Sequence, residues 1–156
     1  MKKAFKISGF LLLGLIGLLC LGALVINIKG VPNYAYTPSP KTLQLKVPHG
    51  DTALISRGLV IASVLCKECH RGDGGQMVGK LLADMPPLFG KVYTGNITHD
   101  TVHGIGAWTD GELYHFLRTG IRKDGSWAPA FMPKYSRMAD SDLQSIIAWL
   151  RSDDPS

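Results

Sequence analysis

The chain has 156 residues, 46% of them hydrophobic and 19% charged, a composition that suits one globular domain and excludes a disordered chain. Its net charge of +5 is not a nucleic-acid footprint. All 12 Asp and Glu fall at Asp51 or later, whereas Lys2, Lys3, Lys6, Lys29, Lys41 and Lys46 precede it, so the basicity belongs to the N-terminal arm and no nucleic-acid partner is expected.

The arm opens with a 22-residue apolar run, Ile7 to Ile28, whose only polar side chains are Ser8 and Asn27. As a helix it would reach about 33 Å, enough for a hydrocarbon core of about 30 Å. A cleaved signal peptide has an apolar region of about 7–15 residues and a small-x-small cleavage site, and this run matches neither. Leu18 and Leu19 before Cys20 also fit poorly with a lipoprotein site. Residues 1–30 are therefore expected to be a transmembrane anchor. Lys2, Lys3 and Lys6 hold its N-terminus in the cytoplasm and deliver the rest outside the inner membrane. Residues 31–50 follow as an extended linker, because Pro32, Pro38, Pro40 and Pro48 forbid a continuous helix; it is either a mobile tether or a segment pinned to a neighbour.

Residues 51–156 form the expected functional domain. Asp51 to about Leu65 reads as a helix, with Leu54, Gly58, Ile61, Ala62 and Leu65 on one face. Gly58 costs that helix about 1 kcal/mol relative to Ala, which close approach of another helix would justify.

The helix leads into Cys66-Lys67-Glu68-Cys69-His70. In an exported protein, C-x-x-C-H is the attachment signature of a c-type haem. Two thioethers join the cysteines to the porphyrin, and the adjacent His70 is held where an imidazole nitrogen can ligate the iron. One covalent haem c is expected, with Cys66, Cys69 and His70 as its binding residues. The rival is a zinc-bound interaction domain using Cys66, Cys69, His99 and His103. However, 29 residues separate Cys69 from His99, where a zinc finger has about 12–15. That rival also leaves His70 without a role.

Arg71 to Trp108 is rich in Gly and Pro and reads as irregular chain, reasonable if it wraps a large flat cofactor. Thr109 to Thr119 is a short helix: Thr109-x-x-Glu112 is a capping box, Trp108 and Leu113 form a hydrophobic staple, and Gly120 stops it. A second loop spans Gly125 to Arg137. The last helix, Asp140 to Arg151, is expected to be capped by Asp140, with Leu143, Ile146, Ile147 and Leu150 turned inward.

A Met thioether opposite the histidine suits electron transfer. The candidates are Met77, Met85, Met132 and Met138. Met132 is favoured because Pro129 and Pro133 stiffen its loop; Met138 abuts the last helix, where an apolar packing residue is expected.

With these features in place, Asp51 to Ser152 resembles a class I cytochrome c. The matching residues are Gly58 on the first helix, Cys66-x-x-Cys69-His70, Met132-Pro133, and Trp149 on the final helix. The resemblance implies an all-α fold with long haem-wrapping loops. Its first and last helices cross closely where Gly58 leaves a gap near Trp149. The stretch from Asn96-Ile97-Thr98 through Gly104-Ile105-Gly106-x-Trp108-Thr109-Asp110-x-Glu112 to Arg118-x-Gly120 looks like membrane-bound monohaem cytochromes and the cytochrome subunits of periplasmic dehydrogenases. Ala139 departs from it, where such proteins carry Ser or Thr.

The function implied is one-electron transfer from a membrane donor (quinol-oxidising complex, dehydrogenase or photosynthetic reaction centre) to an acceptor such as a terminal oxidase. The carrier is free or a subunit of a larger membrane complex. It sits in the bacterial inner membrane by a single span, with the haem domain on the periplasmic side and no small-molecule substrate. His70 and Met132 are the expected iron ligands, and Asn96 and Trp108 belong to the expected haem surround. A haem peroxidase or gas sensor, with the distal position open, is the enzyme alternative.

Overall fold

The computed structural model describes residues 2–30 and 34–154, which divide into two units, Met1–Tyr34 and Ala35–Ser156. The first unit is one helix, α1 (Lys2–Lys29), whose stretch Lys6–Lys29 has a mean hydropathy of 2.7 and is long and apolar enough to cross a membrane.

The second unit is helical and, among the described residues, holds no strand, only isolated bridges Leu81–Tyr93 and Ile121–Trp127. Its helices are α2 (Pro40–Leu43), α3 (Thr52–Leu65), α4 (Lys67–His70), α5 (Asp110–Thr119) and α6 (Asp140–Leu150), with a 3₁₀ turn at Pro87–Phe89. The Asp51 carboxylate caps α3 by accepting from Ala53 and Leu54 N–H.

The core is the crossing of α3 on α6. Gly58 and Ala62 are the buried residues of α3, and Leu143 and Ser145 through Leu150 are those of α6. A Cβ built at Gly58 would collide with the Ser145 backbone, so the expected cost of this glycine is offset by a closer helix approach.

α5 forms as its residues dictate. Thr109 Oγ1 accepts from Glu112 N–H and Glu112 accepts in return from Thr109 N–H; Gly120 ends the helix in the left-handed region at φ 77°. The cap of α6 differs from expectation. Ala139 occupies the N-cap and supplies no side-chain bond, while Asp140 is already the first helical residue. Its carboxylate instead accepts from the Tyr114 hydroxyl and the Arg118 guanidinium. The α6 N-terminus is thus joined to α5 rather than capped locally.

The segment read as an extended linker is also corrected in its second half. Residues 40–43 are helical, with Ser39 as N-cap, and pack on α5. Val47 is buried; its N–H donates to Asp110 Oδ2 (3.0 Å), and His49 Nε2–H donates to the same oxygen (2.9 Å). Arg151 reaches Asp110 Oδ1 from the other side (3.3 Å). Tyr36 meets the His115 ring edge-on at 4.9 Å. α2 lies so close that a side chain at Gly111 would strike the Thr42 and Leu43 backbone. Prolines forbid a long helix, but they do not forbid a short one or tertiary docking.

Candidate haem-binding site

Chain geometry converges on one cavity of about 320 Å³ between α3–α4 on one side and the loops flanking α5 on the other. Cys66, Cys69 and His70 line it from the end of α3 and from α4. Met132, Phe131 and Tyr135 line it from the second loop; Ile97, Ile105, Leu113, Leu117, Ile146 and Leu150 supply apolar walls. Asn96 and Trp108 line it as well. All six residues singled out from the sequence therefore share this cavity.

The C-x-x-C-H unit is held by the loop that follows it. Gly79 N–H donates to His70 O (2.8 Å), and the Thr94 hydroxyl donates to Cys69 O (2.7 Å). The bond most relevant to chemistry is between His70 Nδ1 and the Gly95 carbonyl, at 2.7 Å. A carbonyl only accepts, so Nδ1 carries the proton and Nε2 keeps its lone pair, the tautomer an iron ligand requires. Burial pushes the imidazole pKa below its ordinary value, against the upward pull of the Gly95 bond. Burial likewise raises the Cys66 thiol to about 11, with Cys69 acting in the same direction. Tyr135 rises to about 12, by burial first and then by the two nearby thiols. Burial is the leading cause of all three shifts.

The second loop is positioned by α5. Arg118 Nη1 donates to the carbonyls of Tyr135 (3.0 Å), Ser136 (3.1 Å) and Met138 (2.6 Å), and Tyr135 N–H donates to Leu117 O (2.9 Å). Met132 N–H closes a turn onto Pro129 O (2.9 Å). The other candidate methionines lie elsewhere: Met77 is 1% exposed inside the core cluster, Met138 packs against that cluster, and Met85 is half-buried outside the cavity lining.

Sequence reasoning missed Arg122, a half-buried cation on the cavity wall. Its guanidinium sits 5.3 Å from the Phe116 ring, and its hydrogen bonds go to neutral acceptors, Ser126 Oγ (3.3 Å) and Trp127 O (3.4 Å). The signal was a charge in a Gly-rich loop, indistinguishable in sequence from a solvated one.

The residues fit a covalently held haem. Two cysteines and a histidine of fixed tautomer stand together on a largely apolar cavity, and a cation faces the same space. They do not fit zinc. Among the described residues no group of three or more His, Cys, Asp or Glu could hold a metal ion, and His99 Nε2 donates to Leu150 O (2.7 Å) at the end of α6.

Comparison with known proteins agrees. The cytochrome c family model matches residues 55–153. The alcohol dehydrogenase (quinone) cytochrome c subunit of Gluconacetobacter polyoxogenes is 37% identical over 111 residues, 69% of this chain and 24% of that protein. The fructose dehydrogenase cytochrome subunit of Gluconobacter japonicus is 37% identical over 103 residues, 64% of this chain and 21% of its own length. The gluconate 2-dehydrogenase cytochrome c subunit of Pantoea cypripedii is 32% identical over 100 residues, 62% of this chain and 22% of that protein. The chain thus spans about a quarter of the length of these relatives. With Cys66 and Cys69 placed for thioether attachment of haem c, the chain belongs to the cytochrome c family.

Proposed function

We propose that this chain is a one-electron carrier, tethered to the bacterial inner membrane by α1 with its haem domain on the periplasmic side, and that it is the cytochrome subunit of a membrane dehydrogenase. The observation that carries the reading is that Met132 lines the same cavity as Cys66, Cys69 and His70, while Met77, Met85 and Met138 do not. In this reading Cys66 and Cys69 would hold the haem, and His70 Nε2 and Met132 Sδ would ligate its iron. A bound haem supplies an iron centre that gains and loses one electron without a substrate bond being made or broken.

The chain's own groups set the conditions. Gly95 fixes the His70 tautomer; Arg118 holds the Met132 loop through three carbonyls; Leu113, Leu117, Ile146 and Leu150 exclude water. Arg122 faces the cavity as a counter-charge for a haem propionate, and Asn96 and Trp108 complete the surround. With two protein ligands no position is left for a small molecule, so the chain carries electrons and transforms no substrate. The dehydrogenase partner is supported by the names of the relatives, which are cytochrome subunits of enzymes that oxidise alcohols, fructose and gluconate.

Purification from native membranes in mild detergent tests this. A dehydrogenase polypeptide should co-elute, and its substrate should reduce the haem within the complex. A chain that elutes alone, with haem unreduced by alcohol, fructose or gluconate, would refute the assembly.

A further inference from the structure

We propose that the loop between Leu81 and Tyr93 seats the haem domain on lipid, with Met85–Gly90 dipping into the interface of the same membrane that α1 crosses; this rests on the membrane-anchor reading above. Leu88 is 91% exposed and Phe89 62%, whereas Tyr93 lies at the base of the loop, bridged to Leu81, and lines the haem cavity. The base of the loop is closed by Leu82 N–H donating to Val92 O and Thr94 N–H to Lys80 O, both 2.9 Å, which makes Met85–Gly90 its tip.

Two features of the tip favour lipid over a protein partner. Its backbone donors are largely consumed: Pro86 and Pro87 have none, and Met85, Phe89 and Gly90 N–H donate to Leu82, Pro86 and Pro87 carbonyls. A tip with few free donors enters an apolar medium at low cost. Its charges are also arranged for a membrane surface. Met85 to Gly90 carries none, while Lys80, Asp84 and Lys91 flank it with one net positive charge, suited to anionic headgroups.

The test uses the full chain with haem attached, carrying Leu88→Cys with Cys20→Ala, spin-labelled at position 88 and reconstituted into phosphatidylcholine–phosphatidylglycerol vesicles. Flotation with the vesicles checks the anchor; an unchanged haem spectrum checks the fold. The expected result is a label more accessible to dissolved oxygen than to a water-soluble nickel complex, with the reverse ratio for a label at exposed Thr101. Floating protein whose position-88 label is open to nickel would overturn the lipid contact while leaving the anchor intact. A label shielded from both reagents would mark a protein neighbour and also overturn it. Protein that fails to float would overturn both.

Discussion

Gly58 of α3 and Trp149 of α6 meet with no space for a methyl group between them: a Cβ on Gly58 would stand 2.8 Å from Trp149 Cβ. Trp149 is fully buried, and its indole N–H donates to Asp154 Oδ2 (2.6 Å), so the ring cannot withdraw. Elsewhere in a helix, Gly→Ala gains about 1 kcal/mol. Here Gly58→Ala should instead destabilise by about 1–3 kcal/mol, the usual cost of overpacking. Denaturant unfolding of the haem-loaded chain followed by circular dichroism measures it; an Ala variant as stable as the parent would mean that the helices are not so close.

Asp110 should act as the latch for residues 40–50. Burial alone would push its carboxyl up, but Val47 N–H, His49 and Arg151 outweigh that and hold it below the usual range. A depressed carboxylate contributes stability that is present above its unfolded pKa of about 3.9 and is lost as pH falls through the lower folded value. The latch is therefore intact at neutral pH and opens only in acid, below about pH 4. Asp110→Asn should weaken it at neutral pH, costing about 1–3 kcal/mol as the charge is lost and one acceptor oxygen gives way to an amide NH2. Trypsin cutting at Lys41 and Lys46 reads this directly: cleavage should quicken in the variant, and equal cleavage would show that Asp110 does not hold the segment.

The sequence revealed what depends on neighbours in the chain. The capping box of α5 and the C-x-x-C-H unit are local, and both stand where they were expected. Docking of residues 40–50 was hidden because Asp110 lies 63 residues from Val47. Asp140 looked like a cap because its neighbours suit a helix start, yet its carboxylate is engaged by Tyr114 and Arg118 across the α5–α6 contact. The prolines beside Met132 favoured it in sequence, and the packed chain places Met77 in the core and Met132 on the cavity wall.

Arg122 should raise the reduction potential, since a cation beside the haem disfavours the extra positive charge of the oxidised iron. Arg122→Gln should lower the midpoint by tens of millivolts, where about 59 mV is a tenfold change for one electron. Spectroelectrochemical titration checks this, and an unchanged or higher potential would remove Arg122 from the haem surround.

The axial pair carries the central claim, and one variant tests it. In Met132→Ala the covalent haem should remain while the iron–sulfur absorption band disappears, the midpoint potential falls, and carbon monoxide binds the reduced iron. Met138→Leu, a near-isosteric change beside the core, should keep the band and cost about 1.5 kcal/mol or less. The measurement is the absorption spectrum of the reduced protein before and after carbon monoxide. The account predicts binding in Met132→Ala and none in the parent chain or in Met138→Leu. Carbon monoxide binding by the parent, or an iron–sulfur band that survives Met132→Ala and vanishes in Met138→Leu, would contradict it.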